Sequence, residues 1–225
     1  MILTILIFLL ASIMPVQPRE AYFNTSEGTV LTYERIETKT GKRWWSHTET
    51  VDSVIATPNG GAVVHMTVKM IPDKKKVPIK KPVSSSAVIR PDGTVEVNVA
   101  ELAGETANQK FSAFNFKTTG GVSLLSPSLK AGDSLKDIHS KVTWKAFSYS
   151  INYIKRKVIR EERITVPAGT FDCIVLEEWK VEKGPLSNDT HRNLNWYALG
   201  YGLIRHDTFY SDGVQTTEWL VSVKR

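Results

Sequence analysis

Hydrophobic and polar residues alternate along most of this chain with a period of two, which is the pattern of β-strands. In the last predicted strand, Thr217, Trp219, Val221 and Val223 share one face. Segments rich in Gly, Pro, Asn and Asp separate the alternating runs, as at residues 58–61. Such segments are typical of hairpin turns. The pattern therefore predicts an antiparallel meander in which consecutive strands pair.

The segment ITVPAGTFDCIVLEEWKVEK shows this pattern most clearly. Pro167 fixes its own φ and Gly169 relieves a tight turn, so residues 167–170 predict a hairpin connection. Phe171 and Cys173 share a face of the following strand, which predicts a buried, unreactive thiol rather than a nucleophile. Cys173 is the only cysteine, so neither an intramolecular disulfide nor a cysteine-based zinc site can form.

The fold predicted from these elements is mainly β. About ten strands form a single curled antiparallel meander, a half-barrel or open barrel, with at most one short helix at residues 100–110. Two hairpin arrays, at about residues 22–128 and 129–225, build one β domain over residues 22–225. Residues 111–128 are predicted to be mostly irregular.

The N-terminus carries an apolar run from Ile2 to Met14 that only Thr4 and Ser12 interrupt. As a helix this run spans about 20 Å, which is shorter than the ~30 Å hydrocarbon core of a bilayer. Its length fits the apolar part of a secretory signal peptide, so residues 1–21 are predicted to be one and the mature protein to be periplasmic or secreted. Because no Lys or Arg precedes the run, a buried N-terminal strand or helix stays open as the alternative.

Composition and charge exclude little. The 225 residues are 41% hydrophobic and 23% charged, as in ordinary folded proteins, and the net charge is +6. No nucleic-acid-binding motif accompanies the positive charge, so no nucleic acid partner is predicted. A lysine-rich loop is interpreted either as a solvated segment or as a contact for an anionic membrane surface or glycan. Its lysines are Lys74, Lys75, Lys76, Lys80 and Lys81.

Motifs for catalysis or metal binding are not found in the sequence. No nucleophile elbow or phosphate-binding glycine loop occurs, and no cofactor is predicted. The adjacent pair Glu177 and Glu178 points to opposite faces of a strand and makes no natural acid–base pair. A carboxylate pair assembled from distant strands stays open. The histidines lack metal-ligand spacing, so no metal site is predicted; they are His47, His65, His139, His191 and His206.

A ligand site is predicted from apolar side chains that lie on both faces of some strands. Residues 141–153 and 171–181 carry large apolar groups on two faces, and the single short helix cannot cover them. Uncovered apolar surface of that extent predicts a cavity or a partner groove. The predicted lining residues are Trp144, Tyr149, Tyr153, Trp179 and Trp196.

Four segments resemble the TapB group of exported envelope proteins, a domain of unknown function: YFNTSEGTVLTYE, LKAGDSL, ITVPAGTFDC and NWYALGYGLIRHDTFYSDG. The resemblance covers most of residues 22–225, and its motifs belong to turns and core rather than to chemistry. It implies no catalytic residues. It also implies a likeness to lipoprotein-carrier half-barrels, in which a curled sheet wraps an apolar cavity.

The function predicted from the sequence is an exported, non-enzymatic binding protein of the cell envelope, with an apolar or lipid-like ligand or an envelope protein as its partner. Enzymatic activity is unsupported by any motif. Two alternatives stay open at this point. One is a carbohydrate-associated accessory protein, and the other is a structural module for protein–protein interaction.

Overall fold

The computed structural model describes residues 20–71, 81–101, 116–185 and 187–225. Most of the predicted signal peptide, most of the predicted helix and Lys74 to Lys80 of the lysine loop lie outside these ranges. Within them the chain forms thirteen strands, and residues 99–101 are helical. The strands are β1 (Val30–Glu37), β2 (Arg43–Ala56), β3 (Ala62–Ile71), β4 (Val83–Ile89), β5 (Val95–Asn98), β6 (Lys117–Gly120), β7 (Val122–Leu125), β8 (Ile138–Trp144), β9 (Phe147–Val166), β10 (Gly169–Gly184), β11 (Ser187–Ala198), β12 (Gly202–Phe209) and β13 (Gln215–Lys224).

All thirteen strands belong to one antiparallel sheet in the order β6-β8-β9-β10-β11-β12-β13-β1-β2-β3-β4-β5-β7. The two end strands, β6 and β7, are consecutive in the chain and are joined by Gly121 alone. Because one residue cannot span a flat sheet of this width, the two edges must lie side by side. The sheet is therefore a nearly closed barrel with a seam between β6 and β7.

The prediction of a curled, mainly β antiparallel sheet is confirmed, but the strand count was too low. The additional strands include β6 and β7, which lie where an irregular segment was predicted. Each has only four residues. So short a segment shows too few alternations to be recognised as a strand.

Two glycines allow the chain to cross the seam. Gly120 has φ 75° and Gly121 has φ 84°, a region that other residues seldom adopt. A Cβ atom on Gly120 would collide with the carbonyl oxygen of His139, and one on Gly121 with the side chain of Ser140. The Val99 amide donates a hydrogen bond of 2.6 Å to the Gly121 carbonyl. The seam thus depends on a close backbone approach that side chains would block.

The hairpin of β9 and β10 confirms the predicted turn and extends further than the pattern indicated. Its strands have 20 and 16 residues. In its turn, the Ala168 amide donates a hydrogen bond of 3.3 Å to the Leu220 carbonyl of β13, although two strands separate β10 from β13. Cys173 lies in β10 and is buried, as predicted, and burial raises the pKa of its thiol to about 12.

Apolar side chains form two main clusters. One joins the β9–β10 hairpin to the strands around β13 and includes Val175, Trp196, Ile204 and Leu220. The other lies on β2 to β5 and includes Val51, Val64, Ile89 and Val95. Leu31 of the first cluster and Val95 of the second line the smaller of the two cavities described below. In the part of the chain that the structure describes, no helix has the length and apolar character needed to span a membrane.

Candidate functional site

Two adjoining cavities lie within the curled sheet. The larger, the polar cavity, has a volume of about 570 Å³ and is lined by side chains from β1, β2 and β7 to β13. The smaller, the apolar cavity, has a volume of about 190 Å³ and is lined largely by apolar residues such as Leu31, Met66 and Val95. Val99 and Tyr197 line both cavities. The two spaces therefore meet at a common wall.

A β-bulge aims a charged side chain into the polar cavity. Between Ile154 and Lys157, β9 carries one more residue than the facing part of β10, and Lys155 adopts φ 54°. The Lys155 amide donates a hydrogen bond of 3.0 Å to Asp137. The extra residue turns Arg156 to the inner face, where it lines the polar cavity together with Tyr153. Without the bulge, Arg156 would point outward.

Arg156 starts a buried hydrogen-bond network. Its Nε donates to Glu178 Oε2 at 2.9 Å, and both side chains are more than nine-tenths buried. The Asn195 amide donates to the other oxygen of Glu178 at 3.1 Å. Asn195 Oδ1 in turn lies 2.5 Å from His206 Nδ1. Burial raises the pKa of Glu178, against the opposing effect of Arg156.

The network continues to a second buried arginine. His206 Nε2 lies 2.8 Å from the Thr208 hydroxyl, which accepts a hydrogen bond of 2.7 Å from Arg35 Nη2. Arg35 also donates to Thr216 and lies 4.0 Å from Glu218. The network therefore crosses from β9 to β1 through four intervening strands.

The hydrogen bonds fix the tautomer of His206. Because the Asn195 amide nitrogen donates to Glu178, Asn195 Oδ1 accepts from His206 Nδ1–H. Thr208 accepts from Arg35, so its hydroxyl proton is directed to His206 Nε2. The ring is thus neutral. Burial, with the positive charge of Arg35 and Lys180 and the nearby His191, lowers the pKa of His206 to about 3.

His47 lies beside this network in a different electrostatic environment. Its ring stacks on Tyr33 with centroids 5.0 Å apart, and its Nε2 lies 3.4 Å from Glu49. Burial alone would lower the pKa of His47, but the hydrogen bond to Glu49 and the charges of Glu49 and Glu218 raise it. Two histidines of the barrel interior, His47 and His206, therefore shift in opposite directions.

The aromatic residues predicted to line a cavity lie in different places. Tyr153 lines the polar cavity. Trp196 is buried in the wall and donates to Glu162 at 3.0 Å, and the guanidinium groups of Arg160 and Arg205 lie 5.8 and 4.8 Å from the centroid of its ring. Trp144, Tyr149 and Trp179 are not among the side chains that line the two described cavities. A lysine ammonium lies over the ring of Trp144 and another over that of Trp179.

Sequence reasoning missed the polar residues that the barrel encloses. In β11, Asn193 and Asn195 alternate with Leu194 and Trp196. Such alternation usually indicates a strand whose polar face is exposed to solvent. Here both asparagines face the cavity and are buried. Amides and histidines concentrated on one face, rather than lysines and glutamates, were the signal that could have indicated an enclosed polar face.

A groove of about 710 Å³ lies along the β9–β10 hairpin and is lined in part by Glu162, Arg163 and Asp172. Arg163 and Asp172 form an ion pair of 2.7 Å, and their side chains are 72% and 75% exposed. The pairing and exposure indicate a solvated surface rather than a binding site. Among the described residues, no cluster of three or more His, Cys, Asp or Glu is arranged to hold a metal ion.

Comparison with known proteins places the fold. Residues 26–219 match the model of a family described as DUF3108-like. A candidate lipoprotein from Parabacteroides distasonis superposes with a TM-score of 0.72 at 21% identity, over 92% of this chain and 100% of that one. A candidate exported protein with a YmcC-like fold from Bacteroides fragilis gives 0.70 at 19% identity, with the same coverage. No curated protein matches the chain significantly.

Proposed function

We propose a function for this chain, which belongs to the DUF3108-like family. It is an exported, non-enzymatic protein of the cell envelope, and it holds an amphiphile inside its barrel. Export is supported by the apolar run at residues 2–14, and by the names of the two structural neighbours, a lipoprotein and an exported protein. The narrower assignment to the TapB group is also a proposal. A further proposal is that the lysine loop, from Lys74 to Lys81, contacts an anionic surface.

The observation that carries the proposal is the contact between a polar and an apolar cavity inside one barrel. A ligand with a polar head and an apolar tail would satisfy both spaces at once. If a methylene group takes the ~30 Å³ of a water molecule, the apolar cavity of about 190 Å³ holds roughly six carbons. That space suits part of one acyl chain rather than two.

Binding is favoured over catalysis because the best-placed ionisable groups are already engaged. Both oxygens of Glu178 accept hydrogen bonds, from Arg156 and Asn195. Both ring nitrogens of His206 are hydrogen-bonded, to Asn195 and Thr208. A general base needs a free lone pair directed at its substrate. Neither ring nitrogen of His206 has one, and the Glu178 carboxylate is held in place by Arg156 and Asn195.

Native mass spectrometry of the purified mature chain with a single-chain phospholipid tests the proposal. The parent protein should bind one lipid per chain. Val97→Trp should fill the apolar cavity that Val97 lines and abolish binding, whereas Val88→Trp, at a side chain 40% exposed on β4, should bind normally. Absence of saturable binding in the parent would leave the interaction-module alternative in front.

N-terminal sequencing of protein recovered from its native cells tests export. The mature chain should begin after residue 12 and no later than about residue 22. A folded, soluble protein that retains Met1 would contradict export through a cleaved signal peptide.

A further inference from the structure

Carboxylates compensate the cationic side chains that line the polar cavity. The pairs are Arg156 with Glu178 at 2.9 Å, Lys180 with Glu182 at 2.7 Å, and Arg35 with Glu218 at 4.0 Å. A ligand group with a net charge would therefore meet counter-charges that are already engaged. Because a buried charge without its own counter-charge is costly, this interior disfavours anions and cations alike.

The histidines of the cavity lining, His191 and His206, add no charge near neutral pH. His206 is fixed as a neutral ring by its two hydrogen bonds. Burial and the charge of Lys180 lower the pKa of His191, although its Nδ1 lies 3.5 Å from Asp189. The interior is therefore polar but electrically balanced.

Asn193 presents a hydrogen-bond acceptor to this interior. Its side chain lines the polar cavity and is 2% exposed, and its Oδ1 has no hydrogen-bond partner among the described residues. Asn195, two residues along the same strand, uses both ends of its amide, with Glu178 and with His206. An amide oxygen can only accept, so Asn193 needs a donor from whatever occupies the cavity.

Tyrosine hydroxyls of the same lining can donate. Burial and the charge of Glu178 raise the pKa of Tyr153 and of Tyr197, so both phenols stay protonated. The Tyr210 hydroxyl accepts a hydrogen bond of 3.4 Å from Arg35, which leaves its own proton to donate. The cavity thus offers an acceptor and several donors, and all of them are neutral.

Resting on the proposed function, we infer that the head of the bound amphiphile has no net charge, bears several hydroxyls and is the size of one sugar ring, and that Asn193 accepts a hydrogen bond from it. A hydroxyl both donates and accepts, so one kind of group satisfies the amide oxygen and the phenols. At ~30 Å³ for each water-sized group, the polar cavity of about 570 Å³ holds roughly nineteen. That space suits one hexose, with its dozen or so non-hydrogen atoms, better than glycerol, with about half as many.

Calorimetric titration with amphiphiles that share an octyl tail tests the inference. The probes are octyl glucoside, octylglycerol, octyl sulfate and octyltrimethylammonium, each below its micelle concentration. The parent should bind the glucoside at least about tenfold more tightly than either charged probe and at least about threefold more tightly than octylglycerol. A zwitterionic single-chain phospholipid, which also lacks a net charge, should bind more weakly than a glucoside with the same tail.

Two variants of β11 test the role of Asn193. Asn193→Leu keeps the size of the side chain but removes the acceptor, and it should weaken octyl glucoside about three- to tenfold, the worth of one neutral hydrogen bond. Asn188→Leu makes the same change at an exposed position of the strand and should leave the affinity unchanged. If Asn193→Leu does not fold, the comparison of heads and the charge variants still decide.

Two variants of β10 test the charge balance. Glu182→Gln leaves Lys180 without the carboxylate that lies 2.7 Å away, so octyl sulfate should bind about tenfold more tightly than it does to the parent. Glu177→Gln removes a carboxylate that pairs with Arg192, away from the polar cavity, and should not change that affinity. Equal affinities of these two variants for octyl sulfate would overturn the charge argument.

The outcomes separate the inference from the proposed function. A charged probe that binds the parent as tightly as the glucoside, or equal affinities of the two asparagine variants, would overturn the inference while the binding function stands. Octylglycerol that binds as tightly as octyl glucoside would overturn the sugar-sized head. Methyl glucoside that binds as tightly as octyl glucoside would keep the head site and overturn the amphiphile. Absence of binding by every probe would overturn both.

Discussion

Arg156 and Ser123 are joined by a hydrogen bond of 3.0 Å, which Nη2 of the arginine donates to Oγ of the serine. Ser123 lies on β7, one end of the sheet, and Arg156 lies on β9, next but one to the other end. The same guanidinium donates to the Lys136 carbonyl at 3.0 Å and to Glu178. One buried side chain thus links the two edges of the barrel across the seam.

Removal of that side chain should destabilise the protein strongly. Arg156→Ala leaves the Glu178 carboxylate buried without its cation, and breaking a buried pair in this way costs about 3–5 kcal/mol. Urea unfolding, followed by tryptophan fluorescence, measures the loss. Arg163→Ala is the control, because its partner Asp172 is exposed, and its urea midpoint should match that of the parent. Similar losses in both variants would contradict the structural role of Arg156.

His206 should make the stability depend on pH. Its pKa is about 3 in the folded protein against 6.5 in the unfolded chain. Below about pH 6.5 the unfolded chain takes up a proton that the folded protein does not, so stability is lost as pH falls from about 6.5 to 3. The slope approaches about 1.4 kcal/mol per pH unit.

Urea midpoints between pH 4 and 7 measure this effect in variants. His206→Gln should flatten the acid slope of the parent, whereas His65→Gln, on an exposed position of β3, should retain it. His191 contributes with the same sign. His47 contributes with the opposite sign, since its raised pKa gives stability at low pH that is lost as pH rises. Parallel slopes in the parent and His206→Gln would refute the assignment.

Cys173 should be unreactive while the protein is folded. The thiol is 4% exposed and its pKa is raised to about 12, so at pH 8 it is almost entirely protonated as well as inaccessible. A disulfide reagent such as Ellman's should give no release of its chromophore from the native chain and one equivalent in concentrated urea. Rapid stoichiometric labelling without denaturant would show that β10 opens at this point.

Gly120 should tolerate alanine much less well than Gly132 does. Both have positive φ, 75° and 99°, and a Cβ atom at either position strains the backbone by about 1 kcal/mol. At Gly120 it also meets the His139 carbonyl, whereas at Gly132 nothing lies within 4 Å. Overpacking adds about 1–3 kcal/mol, so unfolding in urea should show the larger loss for Gly120→Ala. Equal losses would mean that the seam adapts to the added methyl group.

The elements predicted correctly are those that local signals determine. The turn at Pro167 and the buried face of Cys173 follow from residues that are neighbours in the chain. The closing of the sheet does not, because it rests on two four-residue strands joined by Gly121. Their pairing partners lie far away in sequence, and no local pattern specifies them.

The candidate site could not be predicted from the sequence for a different reason. An alternating strand reveals that it has two faces, but not which of them a barrel encloses. The bulge at Lys155 adds a second difficulty. Simple alternation would place Lys155 on the inner face of β9, but the bulge places Arg156 there instead. Of the five aromatic residues predicted to line a cavity, Tyr153 does so because it lies on the inner face of β9 just before that bulge.

The pairing of β1 with β13 also determines when the barrel can form. In the sheet order, β1 to β5 with β7 form one run of neighbours and β8 to β13 with β6 the other, and the contact of Val30 with Lys224 marks where the runs join. Because β1 and β13 are the first and the last strand, their pairing closes a loop of almost the whole chain. Closing so long a loop has a large entropic cost, so we expect this pairing to form last in folding. A polypeptide whose C-terminal strand is still in a ribosome or a secretion channel cannot complete its barrel. If the chain is exported as proposed, its interior therefore forms only after the last strand has left the secretion channel.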